Sequence, residues 1–452
     1  MVRIDALGPG GEYRTRKPEL VFDTAGTPVA ELSVVPRLFV TRALAAQRKV
    51  RPLPAAQRVA ALDKAAELFR TATIAGLDFD TYVELTQRVS GLPRSVARAG
   101  AHVVADSLAT TLDAVEPARP AGTVADWRDS PAAGGAVWAR RGEVLAVHAP
   151  GNAPGVHGLW PQALALGYRV AVRPSRREPF TAHRLVHALR QAGFRNEDAT
   201  YLPTDYEGAD EIIRAADLSL VYGGQDVADR YAADQTVLVN GPGRTKIIVT
   251  AEQDWRDYLD ELVDSISNLG GMACVNATAV LYEGDPTQLA DAIAVRLAAL
   301  PPDTLPTAPV ADARALADHL AAKAAGTVAV LGADQVVADR GDGRAALRPA
   351  VHRLTTLDID TINTELPFPC VWVAPWTRAD GIPPLRNSLV VNAITRDEDL
   401  IDALVDEPSV VNLYVGRQVT HHGAAQLPHE GFLADFLMRN KAFIPWPPRG
   451  RL

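Results

Sequence analysis

Apolar residues recur along this chain with two different periods, and the point where one gives way to the other divides it. Over 54–69, Val59, Leu62, Ala66 and Phe69 fall at helical spacing, and the same period continues through 82–89 and 96–112. This spacing predicts a helical first third. Between 119 and 135 the pattern is interrupted by Pro120, Gly122, Pro131, Gly134 and Gly135, which predicts an irregular or edge segment. From residue 143 onward, short apolar runs at 144–148, 169–172, 200–202, 218–222 and 237–239 alternate with helix-like stretches at 155–166, 180–191, 207–216 and 226–233. Such a rhythm predicts βαβ units on a mostly parallel sheet, with ligands at the carboxyl ends of its strands. A nucleotide is the natural occupant.

A second α/β unit follows. Residues 254–269 put Trp255, Tyr258, Leu262, Ile266 and Leu269 on one helical face, and strand-like runs at 277–282, 327–331, 371–374, 388–394 and 410–415 alternate with helices at 287–300 and 311–325. The Pro-rich stretch 301–309 predicts a surface connection, and 417–452 reads as a mixed tail suited to packing on a partner subunit.

Composition narrows the function classes. At 452 residues, 47% apolar and 22% charged, the chain is long enough for two or three globular domains and a deep site. A net charge of −8 argues against nucleic acid or an anionic membrane as the main partner. The N-terminus lacks an apolar signal core, no run approaches a membrane span, and two cysteines do not suggest a structural disulfide, so the cytoplasm is the expected compartment.

Of those cysteines, Cys274 lies in Gly270-Gly271-Met272-Ala273-Cys274-Val275-Asn276-Ala277, a small-residue loop between a helix and a strand. Backbone amides in such a loop are free to face a reacting carbonyl, the layout that nucleophilic catalysis by a thiol requires. Cys370, within the apolar run Phe368-Pro369-Cys370-Val371-Trp372-Val373, reads as core. His421, His422, His429 and Glu430 lack the spacing of metal ligands, and no metal is assigned; Pro428-His429-Glu430-Gly431-Phe432 is expected to line either the substrate entrance or a subunit contact.

The order of segments over 143–416 resembles the aldehyde dehydrogenase superfamily. Pro150-Gly151-Asn152-Ala153-Pro154 is similar to the family's segment with an Asn between two prolines, and Arg173-Pro174-Ser175 to its Lys-Pro-Ser. Val221-Tyr222-Gly223-Gly224 resembles the Gly-Ser-Thr turn, Gly243-Arg244 a Gly-Lys pair, and Glu365-Leu366-Pro367-Phe368-Pro369 the Glu-Ile-Phe-Gly-Pro segment. Cys274 then falls where the family keeps its nucleophile. The resemblance implies two Rossmann-like α/β domains, a cofactor-binding one over 1–118 and 136–247 with a helical N-terminal part and a catalytic one over 248–418. Residues 119–135 and 419–452 would be oligomerisation or bridging segments of a homodimer or homotetramer.

Asn152 and the backbone N–H of Cys274 would hold the oxyanion. Arg173, Ser175, Arg176, Gly223, Gly224, Glu365 and Phe368 would contact a nicotinamide cofactor, Glu365 through the ribose and Phe368 from one position beyond the family's aromatic. No Gly-x-Gly-x-x-Gly fingerprint is present, and the family binds its cofactor without one. Where NAD-preferring relatives carry an acidic residue, this chain has Arg176, whose guanidinium suits a 2′-phosphate. NADPH is therefore expected, with NADH as the alternative.

One departure decides the expected reaction. Members that release free acids carry a Glu opening Glu-Leu-Gly-Gly-Lys, which activates water against the acyl-enzyme; the matching run here is Asn240-Gly241-Pro242-Gly243-Arg244. Without that base the thioester should be exchanged with a thiol, which needs little assistance. The resemblance then points to the acylating branch, reducing an acyl-CoA or acyl-carrier-protein thioester to an aldehyde through Cys274, and the long helical N-terminal part before the sheet resembles the acyl-reductase subunit of bacterial luminescence systems. The alternatives are oxidation of an aldehyde to the free acid with another base, such as Glu365, and a catalytically silent scaffold subunit.

Overall fold

The structure, a computed structural model, describes residues 1–446; positions 447–452 of the expected C-terminal bridging segment lie outside the described residues. Two seven-stranded sheets organise the chain. The first has the spatial order Val237–Asn240, Leu218–Tyr222, Val144–His148, Arg169–Arg173, Ala199–Tyr201, Ala6–Gly8, Gly11–Tyr13. Its first five strands run parallel, and the two N-terminal ones are antiparallel additions. The parallel strands are continuous apolar runs because both of their faces are covered. Leu145 and Val147 pack into the core beneath the helices Ala55–Thr71, Arg94–Ala109 and Phe180–Ala192, while Val144 and Ala146 pack on the opposite side with Val40, Leu44 and Ile212. Strand order reverses between Val144–His148 and Leu218–Tyr222, which opens a crevice at their carboxyl ends.

The second sheet has the order Val328–Leu331, Ala350–Arg353, Cys370–Pro375, Ala277–Tyr282, Thr245–Val249, Ser388–Ile394, Val410–Val415, parallel except at its first edge. Thr245–Val249 belongs to this sheet, so the chain crosses between sheets at 241–244, a few residues before the boundary expected at 247. At the far end, Met438–Phe443 returns to pair antiparallel with Gly135–Arg140 over the whole length of both strands. The expected irregular segment thus ends in a strand that anchors the C-terminal segment of its own chain.

The N-terminal part departs from expectation. Before the helix Arg37–Arg48 the chain forms five short strands; Val2–Ile4, Glu19–Phe22 and Pro28–Leu32 make a separate sheet and the other two extend the first. Runs of three to five residues are too short for a period-2 pattern to register. The Pro-rich stretch also contributes a strand, Thr307–Pro309, paired with Arg344–Leu347.

Candidate active site

The crossing fixes the site. Strand Val237–Asn240 ends at the carboxyl edge of the first sheet, and Thr245–Val249 begins at the amino edge of the second. Four residues, 241–244, join the two, so those edges face each other. The fit is tight enough to demand glycine. A Cβ on Gly241, whose φ is +103°, would lie 2.4 Å from the Gly223 carbonyl oxygen, and one on Gly243 would lie 2.1 Å from that of Cys274.

Cys274 is held in place by its own loop. After the helix Leu259–Ser267, Leu269, Gly270 and Gly271 take left-handed conformations (φ 56°, 70° and 65°), turning the chain sharply toward the strand Ala277–Tyr282. A Cβ on Gly271 would lie 2.4 Å from the Pro369 nitrogen, so this loop packs directly on the 365–369 segment. Asn276 locks the turn: its Oδ1 accepts from the Ala273 N–H at 2.9 Å, and its Nδ2 donates to the carbonyls of Ser265 and Asn268 at 3.1 and 2.8 Å. The Cys274 carbonyl accepts from Thr245 Oγ1 at 2.9 Å. The thiol is thus presented by a backbone with little freedom.

Around the sulfur the structure gathers groups from two distant parts of the chain. Asn152, from the loop following Val144–His148, donates through Nδ2 to the Met272 carbonyl at 3.3 Å, two residues before Cys274. The amide keeps a second N–H, and its Oδ1 is buried with no hydrogen-bond partner among the described residues. His429 Nε2 lies 3.6 Å from Cys274 Sγ. Glu430 accepts from the Gly241 N–H through Oε1 at 2.7 Å, and its Oε2 is buried without a partner among the described residues. The segment is pinned by Asn412, whose Nδ2 donates to the His429 carbonyl at 2.5 Å.

Burial dominates the electrostatics. It pushes the Cys274 thiol up to about 12, with the charges of Glu430 and Glu365 adding to the effect. Burial also raises Glu430 to about 8, against the opposing hydrogen bond from Gly241. His429 is lowered by the same desolvation, so its imidazole is neutral at physiological pH. The thiol therefore rests protonated beside a neutral ring.

Asn240 is buried, and its Oδ1 has no hydrogen-bond partner among the described residues. An amide cannot take up a proton as a carboxylate does, as the sequence indicates. A carboxyl group other than Glu365 nevertheless stands near the thiol, because Glu430 approaches from the C-terminal segment, 189 positions from the residue it bonds. His429 and Glu430, read from the sequence as lining either the substrate entrance or a subunit contact, stand beside the thiol and the crossing segment. Their only local signal is a His-Glu pair between Pro428 and Gly431.

The expected cofactor residues separate into two groups. Arg173, Ser175, Gly223 and Gly224 lie at the carboxyl ends of Arg169–Arg173 and Leu218–Tyr222, flanking the crevice. The Arg173 Nε and His148 Nε2 are both buried there without partners among the described residues. Ser175 packs on the Asn152 loop, since a Cβ on Gly151 would lie 2.4 Å from Ser175 Oγ. The unpaired guanidinium N–H of Arg173 and these close backbone approaches fit an anionic, flat ligand such as a nicotinamide dinucleotide. Arg176 is half-exposed, 3.6 Å from the Glu19 carboxylate and with its guanidinium 6.0 Å from the Tyr206 ring centroid. Glu365 accepts from the Arg244 N–H at 2.9 Å, so it braces the crossing segment as well as facing the site. Phe368 departs from expectation: at 1% exposure it packs in the second domain's core with Trp372, and its ring has no face free for a nicotinamide.

Cys370 is buried in that same core, with its thiol pushed up by desolvation. Among the described residues no group of three or more His, Cys, Asp or Glu could hold a metal ion, and no helix is long and apolar enough to cross a membrane.

Known proteins share this fold. Over 98% of this chain, the fold superposes on 96% of a γ-glutamyl-γ-aminobutyraldehyde dehydrogenase from Burkholderia cenocepacia (TM-score 0.83, 17% identity). It likewise matches 99% of an NADP-dependent glyceraldehyde-3-phosphate dehydrogenase from Bacillus halodurans complexed with NADP (TM-score 0.80, 18% identity, 98% of this chain). An indole-3-acetaldehyde dehydrogenase complexed with NAD+ aligns over 98% of this chain and 96% of its own (TM-score 0.82, 16% identity). A putative aldehyde-dehydrogenase-like protein of Sinorhizobium fredii is 28% identical over 134 residues, 28% of this chain and 26% of that protein, so the match spans about a quarter of that relative. The sequence model of the aldehyde dehydrogenase family covers residues 34–432, from before the first helix to just beyond Glu430. With a loop-borne thiol facing the crevice of a nucleotide-type sheet, and that match across most of its length, the chain belongs to the aldehyde dehydrogenase family of oxidoreductases.

Proposed function

We propose that this enzyme reduces an acyl thioester, carried by CoA or by a carrier protein, to an aldehyde at the expense of NADPH. The observation that carries the reading is Asn240, an amide at the position where a water-activating carboxylate would stand. Cys274 attacks the acyl carbon and displaces the carrier thiol; a bound reduced nicotinamide supplies the hydride. The second N–H of Asn152 and the Cys274 backbone amide stabilise the oxyanion, and collapse of the thiohemiacetal on Cys274 releases the aldehyde. A panel of acyl thioesters with NADPH, following absorbance loss and trapping aldehyde, tests this. Cofactor oxidation without trapped aldehyde would reject it.

Glu430 favours a second reading, NAD(P)+-dependent oxidation of an aldehyde to the free acid. With its carboxyl raised to about 8, Glu430 is mostly protonated at neutral pH and gains base character as pH rises through that value. Acid release from the acyl-enzyme should therefore climb between pH 7 and 9. Glu430→Gln should flatten the climb and lower hydrolysis at pH 9 by at least about tenfold, leaving thiol exchange nearly unchanged. Product analysis with and without CoA distinguishes the two outcomes.

The NADPH preference is supported by the cationic pair Arg173 and Arg176 at one strand end. Glu19 shares Arg176, so a 2′-phosphate would have to displace a half-exposed ion pair, a modest cost. Arg176→Glu should lower kcat/KM for NADPH by about 10–100-fold relative to NADH, the worth of a charge-assisted hydrogen bond. An unchanged NADPH to NADH ratio would remove Arg176 from cofactor selection.

A further inference from the structure

We infer that His429 is the proton acceptor that activates Cys274, so that the two form a catalytic dyad. The inference deepens the proposed thioester chemistry and rests on the nucleophile assigned there. The contact is direct, Nε2 to Sγ at 3.6 Å, and neither group is free to drift. Asn412 and Gly241 fix the His429-Glu430 segment through its backbone and the Glu430 carboxylate, while Asn276 and Thr245 fix the Cys274 loop.

The need for a base is local. A thiol pushed up to about 12 holds only about 10⁻⁵ of its population as thiolate at pH 7, too little for a useful nucleophile without proton transfer. The titratable groups around the pair are Glu430 on the same segment, Glu365 beyond the 365–369 turn, and the buried Tyr222 phenol on Leu218–Tyr222. Glu430 and Glu365 carry or gain negative charge, which opposes the thiolate. Tyr222 is raised by burial and donates to the Val156 carbonyl at 3.3 Å. That leaves the neutral imidazole as the acceptor in contact with sulfur.

The step balances without a further reagent. The Cys274 S–H proton passes to His429 Nε2 as the sulfur lone pair forms the S–C bond to the acyl carbon. The carrier's C–S bond then breaks, and its departing thiolate takes the proton back from Nε2. Nothing is oxidised or reduced in this half of the cycle.

The test uses the full chain and a probe that is neither a thioester nor a nicotinamide. Iodoacetamide alkylates Cys274 with loss of iodide, and peptide mass spectrometry reads the rate from pH 6 to 10 in the wild type, His429→Asn and His429→Gln. The wild type is expected to label at a rate nearly flat from pH 7 to 9. The variants should be slower at pH 7 by on the order of 10²-fold and gain about tenfold per pH unit, as for an unassisted thiol. Variants that label like the wild type would overturn the dyad. So would a wild-type rate rising tenfold per pH unit, a result that needs no variant to fold. Failure of the thioester panel with a flat labelling profile would reject the substrate and leave the dyad standing, and the reverse pattern would reject the dyad alone.

Discussion

Replacing Cys274 with Ala is expected to lower thioester-dependent NADPH oxidation, and any aldehyde oxidation, by at least about 10³-fold, because both proposed reactions pass through a bond to that sulfur. The substitution is well suited to the question, since it removes the nucleophile and little else. The loop is shaped by backbone bonds: Thr245 Oγ1 reaches the Cys274 carbonyl, Asn276 reaches Ala273, Ser265 and Asn268, and none of these uses the thiol. Stability should therefore change by no more than about 1 kcal/mol, and a melting curve checks that the loss is chemical. Intact-mass measurement after exposure to a reactive acyl thioester should show one acyl adduct on the wild type and none on Cys274→Ala. Activity surviving the substitution above a few per cent would mean that the acyl group never rests on the enzyme, and both readings of the function would fall together.

How much of this could be read from the residues follows from the range of the interactions involved. The parallel strands Val144–His148, Arg169–Arg173 and Leu218–Tyr222 are legible because burial on both faces leaves continuous apolar runs. The Cys274 loop is legible because the left-handed turn at 269–271 and the close approach of Pro369 require small residues at Gly270 and Gly271. His429 is legible only as part of a segment lining either the substrate entrance or a subunit contact, and not as a neighbour of the thiol. It meets Cys274 across 155 positions, brought there by Asn412 and by Gly241 acting through Glu430, and neither contact leaves a periodic trace. Phe368 illustrates the opposite error: a motif position carries a residue type, whereas core packing beside Trp372 decides where its ring goes. The amide at Asn240 is legible as a residue, but the surrounding site is not, because Glu430 enters the same neighbourhood from another element and bonds the adjacent Gly241.

Asn152→Ala is expected to lower kcat by about 10²–10³-fold with little change in the KM for the acyl thioester, the signature of a donor that acts on charge developing in the transition state. Its Nδ2 is already held by the Met272 carbonyl at 3.3 Å, which orients the amide before substrate arrives and leaves one N–H to donate. Because an oxyanion forms both when the carrier thiol is displaced and when the acyl-enzyme is attacked by water or thiol, the loss should be of the same order in thioester reduction, thiol exchange and hydrolysis. That uniformity separates Asn152 from its neighbours: Glu430→Gln should slow hydrolysis selectively, and Arg176→Glu should appear in the choice of cofactor. The alkylation rate of Cys274 by iodoacetamide, in which no oxyanion forms, should be nearly unchanged in Asn152→Ala. A fall in alkylation matching the fall in kcat would show that Asn152 holds the loop rather than the oxyanion. A raised KM at constant kcat would assign it to substrate binding alone.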